Sequence, residues 1–539
     1  MTKEKFTIDN AFIKNISWPS IFQITQTYSS LPPRPDILKT TTIIFNLLTS
    51  VLEDDDIPDH IKETHWKIIM LLPGWLWHTP STRTLETASM KEKAVASRIL
   101  LFLQAKYKEL HISLTESQKA HENNKIHRDE PQMDHTTSYN ATLTATKFAT
   151  LGEFRKAMQS LDNTNKIADC DSFKIQQQLN EAAPHGQLPE KLTFNTPYIK
   201  IQLEDIKQTI KLLPRGSAPG ISGLRNDHLR QLLDYEIGPA ITTIINLMLQ
   251  EKIPTQLLEN ITDTAATLFT KSETAIRPIL ILETYIRIAS RVAAHKATKI
   301  IKPILKNQFG IQIKDAMIDI ITGIRIHQAV RPKSVTIKLD ISSAFNNVSR
   351  NAIFQKVQDL LTSHPEIEHL ARYVNLVYTT PIHAKTRGKA CTTFTSGVVQ
   401  GDPSSSLLFC LAINDAIKSA ANIVQPHGSI FAYIDDITII APQEIAALAI
   451  DSIKSQLHLV GLNINLNKSA LFLNSPQANH EILIPQYFST PSETIEKFLG
   501  TKICSEIEFG APGAQNVERI FVPATREHIF RTEICVHFG

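Results

Sequence analysis

The sequence predicts an α+β fold, and three observations predict it. From about Leu151 to Ile503, helical stretches alternate with short β-branched runs. The run Ser429–Ile440 is rich in strand formers yet carries two adjacent carboxylates, Asp435 and Asp436, so the simplest geometry is a β-hairpin with the acids at its tip. Val335–Asp340 alternates apolar and polar residues and delivers a third aspartate at its end. A helix follows it, with Ile353, Phe354, Val357, Leu360 and Leu361 on one apolar face.

Taken in chain order, residues 1–115 contain apolar segments at helical spacing and read as a helical N-terminal region. Residues 116–150 are rich in Asn, His, Thr, Ser and Lys and read as a polar linker, with His121, His127 and His135 as solvated loop residues. Residues 151–503 read as one mixed domain, and 504–539 as a remainder. Within that domain, Gln400-Gly401-Asp402-Pro403 opens an apolar helix. Asp402 is expected as its N-cap and Pro403 as its first residue.

Composition narrows the function. The 539 residues are 42% hydrophobic and 20% charged, which excludes wholesale disorder. The net charge is only +3, so nucleic-acid affinity has to come from a local patch. Residues 261–340 supply one, with thirteen Lys and Arg against six Asp and Glu. The five cysteines are scattered without a Cys-x-x-Cys pair, which argues against a zinc finger or a disulfide framework and for a reducing, intracellular compartment. No run reaches the ~18 apolar residues of a membrane span, and the N-terminus does not look like a secretory signal.

The order of these pieces resembles the palm motifs of reverse transcriptases. Asp340 with Phe345 five residues on, then Gln400-Gly-Asp-Pro403, then Tyr433-Ile-Asp-Asp436 carry the resemblance. Gly461-Leu-Asn-Ile-Asn-Leu-Asn-Lys468 and Phe498-Leu-Gly500 look like the motifs that follow. Upstream, Gly216-Ser-Ala-Pro-Gly-Ile-Ser-Gly-Leu224 is similar to the opening motif of the non-LTR (LINE-type) retrotransposon group. Arg277-Pro-Ile279 and Gln308-Phe-Gly310 resemble its finger motifs, and Gly152–Ala157 its leader.

The resemblance implies a right-hand polymerase of fingers and palm, with an antiparallel palm sheet and flanking helices. It implies RNA-directed DNA synthesis on an RNA template and DNA primer from deoxynucleoside triphosphates. Asp340, Asp435 and Asp436 would then hold two Mg²⁺ ions. Phe345 would exclude a 2′-hydroxyl, although the same residue could be plain core. Gln400 and Gly401 would line the incoming nucleotide, Lys271 and Arg277 would hold its triphosphate, and Lys468 would protonate the leaving pyrophosphate. Residues 501–539 leave room for only a short or truncated thumb, and no nuclease or protein partner is recognisable. Retroelement biology alone implies the nucleus. The alternative is a catalytically decayed, nucleic-acid-binding remnant of the same fold.

Overall fold

The apolar segments at the start fold as helices Pro35–Ser50, Asp59–Trp77, Ala88–Leu103 and Tyr107–Ile126. Their shared interior is aromatic: Trp66, Trp75, Trp77, Phe45 and Phe102 are all buried. The computed structural model describes residues 7–23, 25–80, 87–126, 145–146, 172–272, 275–386, 388–473 and 487–488. By internal packing the chain forms two units, residues 1–304 with 343–411, and residues 305–342 with 412–539.

In the first unit the N-terminal helices pack on the segment that follows, so they are not a separate body. The Thr27 hydroxyl donates to the carbonyl of Gly223 (2.7 Å), and His228 bonds the carbonyl of Tyr28 (2.7 Å). The Gly216–Leu224 motif is thereby fixed from outside. From inside, buried Glu283 accepts the Ser222 amide (3.0 Å) and hydroxyl (2.8 Å). A four-stranded sheet completes this unit, in the order β2-β1-β4-β5. Its strands are β1 (Thr264–Ser272), β2 (Ala275–Ile281), β4 (Ile382–Thr386) and β5 (Lys389–Phe394). β1 and β4 are parallel, and the Lys385–Asp263 ion pair at 2.6 Å joins them.

The second unit is built on an antiparallel sheet, β6-β7-β3-β8. Here β3 is Val335–Leu339, β6 Ser429–Tyr433, β7 Asp436–Ala441 and β8 Ala470–Leu473. Val335, Ile337 and Leu339 are fully buried, as are Ile437, Ile439 and Ile440. Burying each such side chain is worth ~1.5–3 kcal/mol. Helix Ala316–Val330 covers part of the sheet through Ile320 and Ile324, which pack on Ile440 with Phe309, Phe431 and Tyr433 around them. Helix Gln443–Leu459 buries Ala446, Ala449, Ile450, Ile453 and Leu457.

Two expectations are corrected. The polar stretch after Glu116 begins as helix, because Tyr107–Ile126 runs through it. Tertiary bonds replace the missing apolar face: Ser117 donates to the Thr79 carbonyl (2.6 Å), Gln118 to Thr25 (3.1 Å), and His121 bonds Thr79. His121 is therefore a helical, partnered residue; His127 and His135 lie outside the described residues. Second, the helix after Gly401 starts at Ser405, so Asp402 and Pro403 precede its first turn. By length and composition that helix, Ser405–Val424, could cross a membrane, but polar residues such as Asn414, Asp415 and Lys418 interrupt it and 72% of its apolar window is buried in the protein, as in a core helix.

Candidate active site

The hairpin forms as its sequence demands, and its turn is strained. Tyr433 pairs with Asp436, leaving Ile434 and Asp435 as the turn. Ile434 sits at φ +58°, a left-handed conformation that is a genuine outlier for a β-branched residue. A buried side chain from another segment holds it there. Gln308 Nε2 donates to the Ile434 carbonyl (3.1 Å), and the Ile434 amide donates to Gln308 Oε1 (2.6 Å). The flanking backbone pairs as well, with Phe309 N–H on the Ala432 carbonyl (2.7 Å) and Ala432 N–H on the Asn307 carbonyl (3.0 Å). Gly310 permits the approach: a Cβ there would lie 2.9 Å from the Ile434 nitrogen. The Gln-Phe-Gly segment is thus a clasp on the turn that carries the paired acids. Sequence reasoning found the motif but not this role.

Asp340 reaches the same sheet edge from the neighbouring strand. Leu339 pairs with Ile437, so extending the register by one places Asp340 opposite Asp436. The segment Gly461–Ser469 fixes its backbone. The Asp340 amide donates to the Ser469 hydroxyl (3.0 Å), and the Asn465 amide donates to the Asp340 carbonyl (2.7 Å). Lys468 lies in the turn Leu466–Lys468 between those two anchors, and it is exposed.

The three carboxylates feel one another. Burial pushes Asp435 above the usual carboxylate range, the charges of Asp436 and Asp340 push it further, and Lys338 opposes them. Lys338 also pairs with Asp436 at 3.5 Å. One lysine against three acids leaves an excess of negative charge on a half-buried edge. Among the described residues, no three metal-ligating side chains stand together as a ready-made cluster; the three acids are related here by strand register and by their charges.

The other expected residues belong to the first unit. Phe345 is half-buried and stacks on Phe409, with ring centroids 5.2 Å apart and planes 8° from parallel. Its backbone carbonyl accepts the Val398 amide (2.8 Å). Gln400 is half-buried and Gly401 exposed, at φ +108°. Asp402 is a hub rather than a helix cap. Its buried carboxylate accepts the hydroxyls of Ser290, Tyr378 (2.5 Å) and Ser404 (2.9 Å), and the Ser404 amide (3.1 Å). Lys271 lies on β1, and Arg277 on β2 opposite Phe269. Their side chains lie outside the described residues, as do Gly152–Ala157 and Phe498–Gly500.

A strained hairpin presenting two aspartates, registered against a strand followed by a third, is the arrangement that the resemblance to a polymerase palm implies. Comparison with known families bears on it. Residues 269–503, just under half of the chain, match the family described as reverse transcriptase (RNA-dependent DNA polymerase). The chain is also similar to the "Retrotransposable element SLACS 132 kDa protein" of Trypanosoma brucei gambiense, 27% identical over 255 residues. That stretch is 46% of this chain and 21% of that protein, so the chain spans well under half of its relative.

Proposed function

We propose that this protein is the RNA-directed DNA polymerase of a retroelement, extending a DNA primer on an RNA template with deoxynucleoside triphosphates. The observation that carries the reading is the carboxylate edge of Asp340, Asp435 and Asp436 inside a reverse transcriptase domain. The edge fits divalent cations: the donors are hard oxygens, their charge exceeds what Lys338 neutralises, and burial disfavours leaving Asp435 ionised alone. Two Mg²⁺ ions bound there would lower the pKa of the primer 3′-hydroxyl and stabilise charge on the transferring phosphorus.

The chain's own residues do the rest. Gln308 holds Asp435 and Asp436 at a fixed height by fixing Ile434. Asn465 and Ser469 hold Asp340, and Lys468 is exposed beside them as the proton donor to pyrophosphate. Phe345 stacks against Phe409 and so presents a rigid ring, which suits a gate against a 2′-hydroxyl. Gln400 and Gly401 line the nucleotide, and the basic β1–β2 strands bearing Lys271 and Arg277 hold its triphosphate.

The test is extension of a DNA primer on an RNA template, with Mg²⁺ and with the ion chelated. Extension with deoxynucleotides that chelation abolishes supports the reading. That the three acids form no ready-made cluster among the described residues favours one alternative, a remnant that binds template–primer without extending it; binding without extension selects that alternative.

A further inference from the structure

Arg350 is a charged side chain that none of the roles above uses. It is 2% exposed, and its guanidinium donates to backbone carbonyls. Nε donates to Gly397 (3.0 Å), Nη1 to Thr380 (3.0 Å) and Tyr378 (3.4 Å), and Nη2 to Phe394 (3.2 Å). The cation also lies 5.3 Å from the centre of the Tyr378 ring. Burial pulls its pKa down to about 10, so it stays charged at neutral pH. A buried cation is costly unless its donors are used, and only the planar five-donor fork of arginine reaches this many acceptors.

One of these acceptors, Gly397, opens a short strap, residues 397–401. The Gly397 amide donates to Val348 (2.9 Å) while its carbonyl takes Arg350. Gly397 is at φ +71°, and a Cβ there would lie 2.4 Å from the carbonyl oxygens of Phe345 and Asn346. The Val398 amide donates to Phe345 (2.8 Å). The Val399 amide donates to the Tyr378 hydroxyl (3.4 Å), and its carbonyl accepts Ser405 (2.7 Å). The same Tyr378 hydroxyl donates to Asp402. Arg350 thus anchors the strap at one end and Tyr378 in the middle and beyond, with the Phe345 backbone as the floor.

We infer that Arg350 and Tyr378 are positioning residues for sugar selection, fixing the strap that ends in Gln400 and Gly401 at a set distance from Phe345. This rests on the proposed roles of Phe345, Gln400 and Gly401. A packing role alone would reduce the amount of active enzyme and affect every nucleotide equally. A positioning role changes the ratio between nucleotides, because the gap between strap and ring decides whether a 2′-hydroxyl fits.

The experiment is single-nucleotide primer extension by the full chain, measuring kcat/KM for a deoxynucleotide and its matching ribonucleotide. The ratio does not depend on the active fraction. The variants are Arg350→Lys and Tyr378→Phe, with Phe345→Val as the reference. The positioning variants are expected to raise the deoxynucleotide KM more than they lower kcat, and to narrow the ratio about tenfold, the weight of one buried charge-assisted bond. If Phe345→Val narrows the ratio and neither of the others does, the inference fails while the gate reading stands. If Phe345→Val leaves the ratio unchanged, the gate reading fails and the inference with it. Should Arg350→Lys not fold, Tyr378→Phe, which loses only one hydroxyl, decides the outcome.

Discussion

Replacing Gln308 with leucine removes the clasp on the aspartate turn at nearly constant volume. Two hydrogen bonds to Ile434 disappear, and its amide and carbonyl lose their protein partner. Each unsatisfied buried group costs ~1–3 kcal/mol; Ile434 is half-buried, so water repairs part of this and the lower end applies. The turn also holds a β-branched residue at φ +58°, a conformation worth about 1–3 kcal/mol of strain. With the clasp gone, both terms favour a turn that relaxes to negative φ, and Asp435 moves with it. A displacement near 1 Å at reacting groups costs on the order of 10²-fold in rate. Single-turnover primer extension at saturating nucleotide should show that loss in Gln308→Leu, with template–primer affinity unchanged. Adding Ile434→Gly removes the strain and should recover part of the rate. Wild-type extension by Gln308→Leu, or no recovery in the double variant, would refute the clasp.

Asp435→Asn should raise the thermal midpoint at neutral pH in a chelator by on the order of 2 °C. The sign follows from its raised pKa: its contribution to stability is fully present below the ordinary aspartate range and is lost as pH rises through the higher folded value, so at neutral pH the metal-free charge is a cost. A lower midpoint in scanning calorimetry contradicts this. Lys338→Met removes the cation that opposes the acid–acid repulsion, so the acidic limb of the pH–rate profile should move to higher pH; a limb that stays in place, or moves down, counts against it. Phe345→Val should increase ribonucleotide incorporation about tenfold or more, read as alkali-sensitive product; unchanged alkali resistance rejects the gate.

The site's acids were legible because carboxylates inside β-branched runs violate local propensity, and such violations mark function. Asp340, Asp435 and Asp436 fall on one sheet edge for the reason their strands suggested. Gln308 was not legible in that role, because its partner is 126 residues away and the bond is to backbone, which leaves no trace in side-chain pattern. Arg350 is hidden likewise: from sequence it is a helix-start arginine, and only the fold surrounds it with carbonyls. Asp402 misled in the opposite direction. Asp-Pro before an apolar run is a sound cap signal, but Ser290 and Tyr378, 112 and 24 residues distant, claim the carboxylate. Helix Tyr107–Ile126 lacks a strong apolar stripe, and its support from Thr25 and Thr79 is tertiary.

The central claim is that three aspartates on one edge perform the polymerisation. It is tested most directly by RNA-templated DNA primer extension in Mg²⁺ with wild type, Asp340→Asn, Asp435→Asn and Asp436→Asn, each matched for template–primer binding. The account predicts extension by wild type and a loss of roughly 10³-fold or more in every variant with binding intact, the scale of removing a principal electrostatic stabiliser. A variant that extends as fast as wild type, or a wild type that binds template–primer and never extends it, contradicts the account.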